Sequence, residues 1–257
     1  MKILICIKQV PDMESRFKIN AAGTWYSDQD LAWRMNEYDE FAVEQAVKLR
    51  EQLSEAEVVV LSVGPDKVKE TMKKALAMGA DRGVHIHDEA SYEKDSFQIA
   101  SAIAAYAGEQ GFDAIFTGMQ SQDRGSAQVG VLLAGLLGLP AVTTIVDFVC
   151  DGKTATVKRE LEGGLKAVVK LSLPALFTCQ LGLNTPRYPT LPNIMKAKKK
   201  ELVSLPIADL HTAEAMTTTN LIRLPAKRGA GLILEGDISQ LTEQLVAILK
   251  DKTAVLK

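Results

Sequence analysis

The chain has 257 residues, enough for one large domain or one domain with an extension, and its 47% hydrophobic content is ample for a core. Its 30 Lys and Arg against 32 Asp and Glu leave a net charge of −2, which excludes a global attraction to nucleic acid or to a membrane surface and makes any electrostatic role local. Cys6, Cys150 and Cys179 stand far apart in apolar runs with no CxxC spacing, which argues against a disulfide scaffold or a zinc site and for buried thiols in a reducing compartment.

The first ten residues, MKILICIKQV, hold an apolar run of five between Lys2 and Lys8. That is too short for a signal h-region or a membrane span, so it reads as a first strand, Ile3 to Ile7, and the expected compartment is the cytoplasm, without membrane insertion. Lys8 to Met35 is a long polar connection without a clear period, a functional loop or a small hairpin around Gly23. Asn36 then reads as an N-cap, with Glu37, Asp39 and Glu40 complementing the helix dipole and Ala42, Val43, Ala46, Val47 and Leu49 forming a buried side. A strand follows at Val58 to Val63. A second helix starts near Gly64-Pro65-Asp66, turns Val68, Met72, Ala75 and Leu76 inward and ends on Gly79.

Val84 to His87 reads as the third strand, Asp95 to Gln110 as a helix and Ala114 to Thr117 as the next strand. Repeated β then α predicts a Rossmann-like α/β fold, with a mostly parallel sheet covered by helices on both faces and joined by right-handed crossovers. Ligands in that architecture sit beyond the carboxyl ends of the strands, so the loops after Ile7, Val63 and Thr117 are expected to converge.

The stretch Phe112 to Pro140 is the most informative. Its strand breaks at Gly118 into a polar turn and resumes as a helix, with Ser126 expected as N-cap and Gly138 at the end. Amides after such a cap favour an anion such as a phosphate, which makes a nucleotide site the first hypothesis. Val129, Leu132, Leu133, Leu136 and Leu137 are spaced as one buried stripe. Gly130, Ala134 and Gly138 make the other face small, suited either to a flat ligand or to tight helix-on-sheet packing. The turn matches neither GxGxxG nor GxxxxGK[ST].

Beyond Ala141 the pattern changes. Val142 to Cys150, Lys153 to Leu161 and Lys166 to Leu173 are joined at Asp151-Gly152 and Gly163-Gly164, which predicts an antiparallel extension, and Ala175 to Leu181 reads as one more strand. Pro186, Pro189 and Pro192 argue against a regular helix or central strand, which leaves Tyr188 and Leu191 displayed on an exposed loop. Lys196, Lys198, Lys199 and Lys200 read as a solvated basic cluster, and no aromatics other than Tyr188 accompany them as a nucleic-acid site would require. After Ser204 a threonine-rich stretch, the segment Arg223 to Gly231 and an amphipathic helix around Ile238 to Leu249 look like a C-terminal arm, giving an α/β domain over 1–204 and an arm over 205–257.

Catalytic chemistry is thin. His85 and His87 alternate along a strand and His211 stands alone in a polar stretch, so no metal spacing results, and neither Ser121 nor Ser126 has a nucleophile context. Asp123 and Arg124 could touch a ligand, or Asp123 could merely brace the turn.

The runs ALAMGADRG at 75 to 83, TGMQSQD at 117 to 123, KRELEGG at 158 to 164 and LNTPRYPTLPNIMKAKKK at 183 to 200 closely resemble the β subunit of the electron transfer flavoproteins, and the likeness spans essentially the whole chain. The resemblance implies an electron carrier rather than an enzyme. Such a β subunit pairs with a homologous α subunit that holds most of the FAD, takes electrons from acyl-CoA dehydrogenase-type flavoenzymes and passes them to a quinone oxidoreductase or a similar acceptor.

By position the resemblance implies an AMP site at Cys6, Asn36, Glu37, Tyr38, Asp39, Val63, Asp123, Arg124, Gly125, Ser126, Ala127, Gln128, Val129, Gly130, Val131, Leu132, Leu133 and Ala134. It makes Asn184, Pro186, Arg187, Tyr188, Leu191, Pro192, Asn193, Ile194, Met195, Lys196, Lys198, Lys199 and Lys200 a partner-recognition loop with Leu191 as its anchor, and Glu160 a contact to the α subunit's flavin domain. Many relatives carry acidic residues where this chain has Asp123-Arg124-Gly125, so Arg124 would add a cation beside the presumed phosphate. Two alternatives stay open: an electron-bifurcating β subunit with a second FAD and NADH as donor, and an ATP-hydrolysing α/β enzyme. The second lacks a phosphate loop after the first strand, where Gln9, Val10 and Pro11 stand.

Overall fold

The structure is a computed structural model that describes all residues except Ser54, His211, Lys227, Arg228, Ala230 and residues 255–257. The expected reading of His211, and part of that of Arg223 to Gly231, therefore lie outside the described residues. In chain order the elements are β1 (Lys2–Cys6), β2 (Gln9–Pro11), β3 (Trp33–Met35), α1 (Glu37–Gln52), β4 (Glu57–Gly64), α2 (Val68–Met78), β5 (Arg82–His87), α3 (Ser96–Ala107), β6 (Ala114–Gly118) and α4 (Val129–Leu137). They continue as β7 (Ala141–Cys150), β8 (Thr154–Glu160), β9 (Lys166–Ser172), β10 (Ala175–Cys179), α5 (Leu191–Ala197), β11 (Leu202–Pro206) and α6 (Ile238–Lys252).

Among the described residues the main sheet runs β11-β5-β4-β1-β6-β10-β7-β8-β9, parallel from β11 to β7 and antiparallel where β8 and β9 extend it, as the hairpin signals require. The parallel strands are apolar on both faces because both faces are covered. Ile3, Ile5, Val58, Val60, Phe116 and Phe177 pack on the side of α1 and α2. Leu4, Val59, Leu61, Ile115 and Leu176 pack on the side of α3 and α4. The polar connection after β1 is a hairpin: β2 pairs with β3, and Ile19 bridges Tyr26 across the turn that Gly23 makes at φ 69°.

Four expectations change. Asn36 occupies the N-cap position of α1, yet its side chain makes no capping bond and binds the turn after β6 instead. The helix after β6 starts at Val129 rather than at Ser126, because Gly125 at φ 61° and Ala127 at φ 53° hold the chain out of helical geometry. Its buried residues are Gly130, Leu133 and Ala134, whereas Leu136 is 42% exposed, so the small face is the one turned to the sheet. Cys6 and Cys179 are buried, but Cys150 is half-buried and its Sγ accepts from the Gly152 amide at 3.3 Å.

Tight packing at Gly130 follows from its missing side chain: a Cβ there would stand 2.6 Å from Thr117 Oγ1 and 3.0 Å from Thr178 Cγ2. Gly130→Ala is expected to lower stability by about 1–3 kcal/mol through overpacking, despite the gain in helix propensity, and a urea titration read by circular dichroism checks it.

The strand β11 is not expected from the sequence. It pairs with β5 at the sheet edge and runs across residue 204, where composition alone places the boundary of the arm. Beyond it the arm is tied down at a few points. Asp95, which also caps α3, accepts from the amides of Met216 and Thr217 at 2.7 and 2.8 Å, and the Ile222 amide donates to Gly23 O at 2.8 Å. None of the residues of α6 is buried.

Candidate functional site

A cleft opens at the carboxyl ends of β1, β4 and β6, where α1 leaves the sheet on one face and α4 on the other. This is the crevice a doubly wound sheet offers a ligand. The three expected loops do converge: Cys6 to Gln9, Leu61 with Val63, and Thr117 to Ser121 all line it, joined by Tyr92, Lys94, Asp95, Ile99, Ile103 and the start of α4. It holds about 950 Å³ of space outside the protein atoms, part of it open to solvent.

Its floor is organised by Asp39. Oδ2 accepts from the Lys8 amide at 2.7 Å, and Oδ1 accepts from the Gly118 amide at 3.1 Å and from Asn36 Nδ2 at 3.0 Å. Burial pushes this carboxyl up to about 7 against those hydrogen bonds, which pull the other way. Asn36 completes the brace, donating to Gln120 O at 2.8 Å and accepting from the Gln122 amide at 3.0 Å. Gly118 permits it, because a Cβ there would lie 2.2 Å from Asp39 Oδ1. Burial also pushes the Cys6 thiol up, with the Asp39 charge adding to it, so Cys6 is an inert wall residue rather than a nucleophile.

Lys8 is one of the cations that line the cleft, beside Lys94, which pairs with Asp88 at 2.9 Å. Lys8 Nζ lies 2.7 Å from both oxygens of Asp123 and 3.3 Å from Ser121 Oγ, and burial pushes the ammonium below the usual lysine range while Asp123 holds it up. Arg124 is spent otherwise. It donates to Lys94 O at 3.0 Å and to Tyr92 O, with the guanidinium carbon 4.5 Å from the centre of the Trp25 ring, so it fastens the loop before α3 and the hairpin tip to the turn after β6. At the start of α4, Gln128 makes no side-chain cap, and Val129 and Gly130 line the cleft, which leaves helix N-terminal geometry suited to an anion.

Of the residues that the resemblance assigns to a nucleotide, Cys6, Asn36, Asp39, Val63, Arg124, Ser126, Ala127, Gln128, Val129 and Gly130 line the cleft. The others stand behind it or away from it. Glu37 holds Gln122 Nε2 at 2.9 Å, the Tyr38 hydroxyl accepts from Gln120 Nε2 at 3.2 Å, and Asp123 is 1% exposed beneath Lys8. Gly125 and Val131 face solvent, Leu132 is half-buried, and Leu133 and Ala134 lie in the core under α4. Lys8, Gln9, Ser121, Gln120 and Lys94 line the cleft without having been singled out. Position offered a signal for Lys8 alone, the first polar residue past an apolar strand at its carboxyl end.

The 184–200 segment presents its apolar residues to solvent: Tyr188 is 92% exposed, Leu191 77%, and Ile194 and Met195 are exposed beside them. Contrary to the expectation from its prolines, residues 191 to 197 form the helix α5. Thr190 caps it and Pro192 sits in its first turn, where a missing N–H costs nothing. Lys196, Lys198 and Lys199 are exposed, but Lys200 is not part of a solvated cluster, since its Nζ binds Leu76 O at 3.0 Å and Ala80 O at 2.5 Å past the end of α2. Glu160 is exposed at the end of β8 and accepts from Gln180 Nε2 at 2.9 Å. Among the described residues there is no cluster of ligands able to hold a metal ion, and no helix is long and apolar enough to cross a membrane.

Comparison with known proteins gives relatives along the whole chain. Residues 24–210 match the model of the electron transfer flavoprotein domain. The chain is 36% identical over 261 residues to the electron transfer flavoprotein subunit beta of Bacillus subtilis, covering all of both chains. It is 33% identical to the subunit of the same name from Methylophilus methylotrophus, with 98% of each chain covered, and 36% identical to the human one over 98% of this chain and 97% of the other. The chain belongs to the electron transfer flavoprotein family and is similar along its whole length to that family's β subunits.

Proposed function

We propose that the cleft beyond β1, β4 and β6 holds AMP as a structural nucleotide. On the same reading this chain, as the β subunit, pairs with an α subunit that carries most of the FAD. The single observation that carries the nucleotide is that one cleft is lined both by apolar side chains, Leu61, Val63, Ile99 and Ile103, and by polar groups, Lys8 Nζ, Ser121 Oγ and the first turn of α4. A purine ring fits the former and a phosphate the latter. Arg124, with its donors on Tyr92 and Lys94, braces the cleft rather than binding the phosphate.

Membership of the family makes the chain part of an electron carrier, not an enzyme, and sets aside the ATP-hydrolysing alternative. The flavin supplies the electron chemistry when bound. The β subunit contributes shape, a docking surface and part of the flavin's surroundings, with Glu160 at the exposed end of β8 meeting the α subunit's flavin domain. An acyl-CoA dehydrogenase-type donor docks on the exposed apolar residues around Leu191, whose lysine rim favours an acidic partner, and a quinone oxidoreductase or similar acceptor takes the electrons. The arm over 205–257 completes itself on the α subunit, because it leaves Met216, Leu221, Leu232, Ile233 and Ile238 exposed. The proposed compartment is the cytoplasm.

The test is nucleotide content: co-express the chain with its α subunit, denature the purified complex and identify the released nucleotides by chromatography and mass spectrometry. One FAD and one AMP per heterodimer is the expected result. Two FAD and no AMP would move the chain to the bifurcating reading, with NADH as donor, and a complex free of both AMP and a second FAD would remove the cleft from nucleotide binding.

A further inference from the structure

The exposed segment before α5 is anchored at two points on α1, on either side of Pro186. Asn184 Nδ2 donates to Phe41 O at 3.0 Å. Arg187 does more: its Nε and Nη2 reach the two oxygens of Glu44 at 2.8 and 3.0 Å, its Nη1 and Nη2 reach those of Glu51 at 2.6 and 3.0 Å, and its amide donates to Glu44 Oε2 at 3.1 Å. The Glu44 side chain is 6% exposed at the clamp, whereas Tyr188, the residue after Arg187, is 92% exposed. Two carboxylates about two helical turns apart on α1 thus receive a single planar fork, a geometry that arginine satisfies and lysine does not.

The far end of the segment is held separately, by buried Ala197 and by Lys200 on the carbonyls of Leu76 and Ala80, which leaves residues 184 to 190 dependent on the ties to α1. We infer that Arg187, locked between Glu44 and Glu51, is the positioning residue that fixes the posture in which Tyr188 and Leu191 are offered to an electron donor. The inference rests on the reading of 184–200 as the donor-docking segment. The clamp removes in advance the freedom that the segment would otherwise lose on docking, so its effect falls on encounter affinity and not on electron transfer once docked.

The experiment uses the purified heterodimer with an acyl-CoA dehydrogenase and its acyl-CoA substrate. The variant is Arg187→Gln with Glu44→Gln, which removes both charges together and avoids leaving Glu44 as a buried unpaired carboxylate. Glu51→Gln, on the exposed side of the clamp, serves as a second and milder variant. In the double variant amide hydrogen exchange over residues 184–191 is expected to accelerate about tenfold. The KM for the carrier should rise about tenfold, or 1.4 kcal/mol, with kcat within about twofold and flavin content unchanged. Arg187→Lys should recover only part of the KM, and Glu51→Gln should shift exchange and KM in the same direction by less.

Unchanged exchange would overturn the clamp, and faster exchange with an unchanged KM would overturn its role in docking. Leu191→Ala separates the two levels. If it too leaves the KM unchanged, the docking reading has failed and the inference fails with it; if it raises the KM while the clamp variants do not, the clamp alone is wrong.

Discussion

Asp39→Ala is expected to lower the stability of the chain by about 3 kcal/mol near pH 5 and to leave the purified heterodimer with less nucleotide. The amides of Lys8 and Gly118 lose their acceptor in a buried place, at about 1–3 kcal/mol for each unsatisfied donor, whereas Asn36 Nδ2 keeps Gln120 O. These two amides begin the loops after β1 and β6, so the loss falls on the walls of the cleft. The effect depends on pH with a definite sign. The folded carboxyl binds its proton more tightly than the unfolded one, at about 7, so its contribution is full below about pH 4 and is lost as the pH rises toward 7. The difference between wild type and Asp39→Ala should therefore shrink between about pH 5 and pH 8. Urea titrations at the two values measure it, and a difference that grew with pH would mean that its hydrogen bonds outweigh burial and hold Asp39 as a well-paired carboxylate.

Leu191→Ala is expected to act in the opposite way, with a large effect on a partner and almost none on the fold. At 77% exposure the side chain contributes little to folding, and surface changes of this kind stay within about 0.5 kcal/mol. If it is the apolar anchor of a docking surface, its truncation costs about 2 kcal/mol or more, roughly a thirtyfold fall in kcat/KM for reduction by the dehydrogenase. Steady-state reduction of the heterodimer at several carrier concentrations, beside a thermal melt and a flavin spectrum, tests both halves. An unchanged kcat/KM would remove Leu191 from the anchor role, and a lowered melting temperature would show that it packs within the carrier.

Much of the fold was legible because local signals and tertiary packing agree. Fully apolar runs such as Val58 to Val63 suit only strands covered on both faces, and the turns at Asp151-Gly152 and Gly163-Gly164 join β7, β8 and β9 as expected. The cleft was legible in its coarse position, since the alternation of strands and helices already places it at three strand ends. Its chemistry was less so. Lys8 and Asp39 stand 31 positions apart and Lys8 and Asp123 115 apart, and no pattern in either neighbourhood announces that they meet.

The remaining differences share one physical cause. Spacing along α4 defines an apolar stripe, but which face is buried depends on how closely the helix can approach β6 and β10, and Gly130 allows an approach that the leucines would not. Composition identifies Arg187 as an arginine in a proline-rich run; only α1, packed alongside, supplies the two carboxylates that hold it. The edge strand β11 carries no marked period and acquires its hydrogen bonds from β5, far back in the chain. From the sequence alone come the α/β class, the order of most elements, the glycine caps at Gly79 and Gly138 and the likeness to a family of electron carriers, because these rest on short-range periodicity, backbone preference and whole-chain similarity. The phase of α4, the carboxylate floor of the cleft, the clamp on Arg187 and the exclusion of Arg124 from a free cationic role were decided by the tertiary structure, since each is a contact between residues that only folding makes neighbours.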